Sequence, residues 1–188
     1  VLFLAKFLSG NRACEKNPLE VEKNWKIIEQ KDSRLFEYRL PELPKHCRID
    51  VCGTEDVLEM SRVYREVFLT YPFPIHDPQY IGDTMKSHVR YFCVRHRGRI
   101  AALSSSEMDT ENLNAEMTDF AVRSRWRGKG FSSLLLEEME RHMESMGIRT
   151  LYTISRTLSA GMNIVFKKAG YGYGGKLTNN TQIAGALE

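Results

Sequence analysis

Residues 114–136, NAEMTDFAVRSRWRGKGFSSLLL, decide how this chain is read. The alternating stretch AEMTDFAV predicts a strand, SRWRGKG is a basic turn with two glycines, and FSSLLLEEMERHMESMG has the apolar spacing of a helix. A glycine turn that opens a helix directs several unpaired backbone N–H groups at one point. The positive end of the helix dipole reinforces them. Such a point suits a phosphate or pyrophosphate, and Arg125, Arg127 and Lys129 add positive charge around it.

Working outward, residues 46–52 alternate as a strand. Thr54 stands as N-cap for a helix with Val57, Met60, Val63, Tyr64 and Val67 on one face. TYPFPIHDP is too rich in proline for regular structure, and a weaker helix follows over 78–86. Two strands, 88–96 and 100–108, flank a tight turn at Arg97 and Gly98, and DTENLN turns the chain into the opening strand. Downstream the pattern predicts a strand over 150–154, a helix over 158–169, a strand over 171–177 and a final turn into an unfinished strand. The order from residue 46 is β-α-α-β-β-β-α-β-α-β. Before it lie a short apolar helix, an amphipathic helix over 18–30 and an extended piece over 34–40. Pro41 and Pro44 then mark a boundary between an N-terminal extension (1–44) and the main domain (45–188).

The 188 residues suit one large domain with an appended segment, and a formal charge of +3 is too small for a nucleic-acid surface. Cys14, Cys47, Cys52 and Cys93 form no CxxC pair and no zinc-ligand spacing, so no metal is expected and the thiols read as buried and reduced in a cytoplasmic protein. The opening VLFLAKFL is too short to span a membrane and has no secretory cleavage pattern after it. With no initiator methionine and an end in mid-pattern, the sequence reads as a piece of a longer protein.

Three families place glycines at a strand-to-helix turn. The P-loop pattern GxxxxGK[ST] is absent. The dinucleotide fingerprint GxGxxG stops at Gly128 and Gly130, and the next strand ends in Ile154, Ser155 and Arg156 instead of an acidic residue. The third is the GNAT N-acetyltransferases, which the chain resembles over residues 46–177. Their [QR]-x-x-G-x-[GA] signature is matched by Arg127-Gly128-Lys129-Gly130-Phe131-Ser132, with Ser132 departing from it; an overlapping register from Arg125 to Gly130 fits literally. TDFAV resembles the family's central strand, and Asn163-Ile-Val-Phe166-Lys-Lys-Ala-Gly170-Tyr171 its N-x-x-[AY]-x-K-x-G-[FY] region. Within the family, TYPFPIHDPQYI, SRTLSAGMN and TNNTQIAGALE look like the beta-lysine N6-acetyltransferases, which make a compatible solute.

This resemblance implies an α/β (α+β) fold, a mixed and mainly antiparallel central sheet flanked by helices, with a homodimer left open. It implies an enzyme moving acetyl from acetyl-CoA to a small-molecule amine, with no metal, nucleic acid or membrane partner. Phe120, Ala121 and Val122 would bond the pantetheine through their backbones. The amides of residues 127–132 would take the pyrophosphate, and Asn163 the far side of the arm. Glu116 is the first candidate for general base and Asp119 the second. Strand parity decides between them only if no bulge intervenes. Phe166 stands where many members carry a tyrosine that protonates the thiolate, so Tyr171, Tyr173 or water would have to serve. His76 and Asp77 in the proline-rich loop, and Asn179 and Asn180 near the end, are the candidate acceptor contacts. Other amine acceptors, and a non-catalytic coenzyme-binding module, stay open.

Overall fold

The structure is a computed structural model that describes residues 6–30, 39–183, 186 and 187. Its centre is a five-stranded sheet in the order β1-β2-β3-β4-β5, formed by Cys47–Val51, Val89–His96, Arg99–Asp109, Asn114–Val122 and Thr150–Tyr152. The first four strands run antiparallel to their neighbours, and β5 is parallel to β4. Tight turns at residues 97–98 and 110–113 join β2 to β3 and β3 to β4, whereas β1 reaches β2 through a longer, helix-bearing connection over residues 52–88. The one parallel pair needs the crossover helix between its strands.

The helices are α1 (Gly10–Ala13), α2 (Pro18–Glu29), α3 (Val57–Val67), α4 (Pro78–Met85), α5 (Phe131–Ser145) and α6 (Ala160–Lys168). Each sheet face has its own core. On one face Phe131, Leu135, Leu136, Met139 and Met143 of α5 and Phe166 of α6 meet Phe92, Ala115 and Met117. On the other, Met60, Val63 and Tyr64 of α3 and Ile81 of α4 meet Tyr91, Cys93 and Leu103. Residues that alternate in sequence therefore go to opposite layers, which gives this sheet its two distinct environments.

Four expectations differ from the molecule. Residues 171–177 form no strand: Gly172, Gly174 and Gly175 leave little to pack on a sheet face, and Gly175 has φ of 149°. A short hairpin, β6 (Gln182–Ile183) with β7 (Ala186–Leu187), closes the chain instead. Thr54 does not cap α3. A 3-10 turn over Thr54–Asp56 precedes the helix, and the Asp56 carboxylate accepts the Gly53 amide at 3.0 Å. The same carboxylate receives Arg95 at 2.6 Å, a buried pairing that pins the start of α3 to β2. Nor is Lys6–Leu8 helical; residues 1–5 and the expected extended piece at 34–38 lie outside the described residues. Among the cysteines, Cys52 and Cys93 are buried as expected, whereas Cys14 is exposed.

The N-terminal segment lies on α6 and the closing loop. Asn24 donates to the Thr157 carbonyl at 3.3 Å, Trp25 packs on Tyr173 at 4.5 Å, and Lys176 pairs with Glu15 at 2.9 Å. Among the described residues no helix is long and apolar enough to cross a membrane.

Candidate active site

β4 and β5 stay paired only from Asn114 to Glu116, with Glu116 opposite Tyr152. Beyond that point β4 runs on to Val122 without a partner on its β5 side, so the sheet opens into a wedge. The Arg123 amide bonds the Ala101 carbonyl at 3.1 Å, which makes Val122 and Ala102 a non-hydrogen-bonded pair. The Val122 amide and carbonyl therefore point into the wedge; the carbonyl meets Arg127 Nε at 3.4 Å. By the same alternation Ala121 turns its backbone groups to Leu103, leaving Phe120 and Val122 as the outward residues of the expected three.

The turn after β4 leads to the mouth of α5. Gly128 and Gly130 have φ of 74° and 75°, left-handed backbone that glycine adopts without penalty, and Gly130 is the N-cap of α5. Among the described residues the amides of 128, 129, 130, 131 and 132 carry no hydrogen bond, which is the donor set an anion needs. The Arg127 amide does not belong to that set, because it bonds the Ser124 carbonyl at 3.2 Å. Arg125 and Lys129 lie against the Trp126 ring, 5.6 and 5.9 Å from its centre, which holds their charge near the turn. Gly130 has a second constraint, since a Cβ there would lie 2.3 Å from Cγ of Pro41.

The other chemistry lies on the α3/α4 face of the sheet. β3 and β4 change register between Leu103 and Ser105, where Asp119 and Phe120 together oppose Ser104; Asp119 has φ of 56°. This bulge puts Asp119 on the same face as Glu116, where unbroken alternation would have separated them. Asp119 is buried, accepting hydrogen bonds from the Tyr71 hydroxyl and from Ser105 Oγ at 2.5 Å. Glu107 joins the two carboxylates as the direct cross-strand partner of Glu116. Sequence reasoning missed it, although 107 and 116 lie equally far from the DTENLN turn and counting back from that turn would have found the pair.

Burial, then the charges of Glu107 and Asp119, push the Glu116 carboxyl up to about 7, against a weaker pull from the Ile154 amide. Burial likewise raises Glu107 and Asp119 above the usual carboxylate range. A carboxyl raised on folding binds its proton more tightly in the native state. The stability it contributes is whole below its ordinary value and is lost as pH rises through the folded value. The melting temperature of the ligand-free chain should therefore fall by a few degrees between about pH 5 and pH 8, and less in Glu116→Gln. Calorimetry of both proteins at the two pH values checks this; equal pH dependence would contradict the burial assigned to Glu116.

The remaining candidates divide. His76 and Asp77 line an open concavity of about 760 Å³ with Arg65, Phe73 and Tyr71, and Tyr71 links it to Asp119. Nε2 of His76 is buried there without a partner, whereas Asp77 caps α4 by accepting the Gln79 amide at 2.9 Å. Asn179 is buried, donating to the carbonyls of Arg12 and Cys14 at 2.7 and 2.8 Å, so it fastens the N-terminal segment. Asn180 is exposed beside it. Asn163 gives both amide hydrogens to local carbonyls, Arg156 at 2.8 Å and Ser159 at 2.9 Å, and so shapes the turn before α6 without reaching across the wedge. Phe166 is buried edge-to-face between Phe120 and Tyr171. Tyr173 packs on Trp25 and is exposed. No group of three or more metal-binding side chains occurs among the described residues.

The model of the acetyltransferase (GNAT) family matches residues 55–171, a span that contains the wedge, the bulge and the α5 turn. The chain belongs to the GNAT family. This GNAT chain is 40% identical, over 99% of its length and 66% of the other's, to a beta-lysine N(6)-acetyltransferase of Methanococcus maripaludis. It is 34% identical, over 96% of its length and 65% of the other's, to the beta-lysine N(6)-acetyltransferase of Methanosarcina mazei. It thus spans about two thirds of the length of these relatives. Among solved structures, AAC(6')-Iy in complex with the bisubstrate analogue CoA-S-monomethyl-acetylneamine shares the fold, with a TM-score of 0.60, 14% identity and coverage of 73% of this chain and 99% of that one.

Proposed function

We propose that this GNAT chain moves the acetyl group of acetyl-CoA to the N6 amine of beta-lysine, making N6-acetyl-beta-lysine, a compatible solute, in the cytoplasm. The observation that carries the reading is the position of Glu116. It stands where β4 and β5 part, on a face shared with two more carboxylates, while the unbonded amides of 128–132 lie at the far end of the same segment. The two relatives named beta-lysine N(6)-acetyltransferase support the choice of acceptor.

The residues fit the co-substrate by the chemistry of their donors. Amides 128–132 would hold the pyrophosphate, and Phe120 and Val122 would pair with the amide-bearing arm. Acetyl-CoA supplies an activated thioester. An alkylammonium has a pKa of about 10.4, so its proton must leave before the nitrogen can attack. Glu116, near half-ionised at neutral pH, takes that proton. The amine lone pair then forms the N–C bond as the C–S bond breaks, with the Val122 amide donating to the carbonyl oxygen. The new amide nitrogen then sheds its surplus proton, which passes through water to the departing thiolate, because Phe166 has no proton to give.

An acceptor screen read by mass spectrometry tests the assignment, with beta-lysine, lysine, polyamines and a protein amine in parallel. Beta-lysine is expected to be the preferred acceptor, and preference for an amine without a carboxylate would refute it. Phe166 also favours a second reading, a coenzyme-binding module without catalysis; turnover of any amine in that screen excludes it.

A further inference from the structure

Glu107, Glu116 and Asp119 share one face of the β3–β4 ladder, and no lysine or arginine pairs with any of them among the described residues. Like charges directly opposite each other weaken a ladder. The groups facing this cluster are Tyr71 from the loop after α3, Tyr80 from α4, Tyr91 from β2, Tyr152 from β5 and His88 just before β2. Four of these five are tyrosines, each raised first by burial and also by carboxylates of this cluster. A second observation points to a ligand. The Tyr64 hydroxyl is fully buried without a hydrogen-bond partner and lies within the field of Asp119. A native buried hydroxyl is seldom left unpaired unless something else completes the site.

We propose that Glu107 determines acceptor specificity by receiving the second ammonium of a diamine while Glu116 faces the amine to be acetylated. The inference rests on the proposed function and specifies how its acceptor is read. Opposed residues of an antiparallel ladder stand about 4.5–5.5 Å apart at Cα. The two nitrogens of beta-lysine, at C3 and C6, are roughly 6 Å apart in an extended chain of standard bonds. One ammonium on each carboxylate therefore matches the ladder without moving a strand. Asp119, with both oxygens already bonded to Tyr71 and Ser105, is the less available of the three.

The experiment compares beta-lysine with 6-aminohexanoate, which is the same molecule without its C3 amine. The native protein should favour beta-lysine in kcat/KM by about tenfold or more, the weight of one charge-assisted contact. Glu107→Gln should raise KM for beta-lysine at least about tenfold more than KM for 6-aminohexanoate, with kcat changed much less, and Glu107→Asp should recover part of the loss. Equal losses on the two acceptors, or none on either, would overturn the proposal. If the native protein ignores beta-lysine but acetylates 1,4-diaminobutane, the acceptor assignment fails alone. The same comparison against 1-aminobutane then decides the role of Glu107. No turnover of any amine ends both.

Discussion

Replacing Glu116 by glutamine is expected to lower kcat/KM for the acceptor by roughly 10²–10⁴-fold, the usual contribution of a positioned general base. Glutamine keeps the shape and the hydrogen-bonding reach but cannot take a proton. The pH profile separates loss of a base from loss of a contact. In the native protein the rate should climb about tenfold per pH unit on the acid side and level off above about 7, where Glu116 is ionised. In Glu116→Gln the remaining rate should follow the free amine itself and keep rising toward the alkylamine pKa of about 10.4. A native-like rate and plateau in the variant would remove Glu116 from the proton transfer. Asp119→Asn is a poor substitute for this test, because it disturbs a buried carboxylate bonded to both Tyr71 and Ser105.

The second large effect belongs to the turn at the mouth of α5. Gly128→Val should weaken acetyl-CoA binding by about a hundredfold or more in calorimetric titration, with the melting temperature of the free chain changed modestly. A Cβ at Gly128 meets nothing within 4 Å, so the folded chain has room for it. What valine cannot accept is φ of 74°, where an L-residue is disfavoured by roughly 1–2 kcal/mol and a β-branched one more. Relaxing that angle re-aims the amides of 128–132. Gly130 is the less informative position, since a side chain there would also strike Pro41. Undiminished titration by Gly128→Val would mean that these donors do not hold the phosphates.

The parts of this molecule that local pattern dictates were legible in the sequence. The strand–turn–helix over 114–145, the helices over 57–67 and 78–85, and the hairpin through Arg97 and Gly98 follow from alternation, helical spacing and turn residues. Tertiary relations were less legible. The bulge at Asp119 has no composition signal, because its cause is the pairing with β3. The bond from Asn179 to the Cys14 carbonyl spans 165 residues of chain, a separation that no local pattern marks. Glu107 gave no motif, and its meaning comes wholly from the strand opposite. The glycine-rich stretch 171–177 alternates aromatic and small residues, which mimics a strand until the lack of side chains to pack is weighed.

Asp119 and Phe120, facing a single residue of β3, act as a phase shift in a pattern of period two. One extra residue inverts inside and outside for everything after it. Upstream, acid groups line the layer where an amine can approach; downstream, the strand offers bare peptide edges and hands the chain to the phosphate turn. Deleting one residue here would restore the simple alternation and aim the two half-sites at opposite sides of the protein.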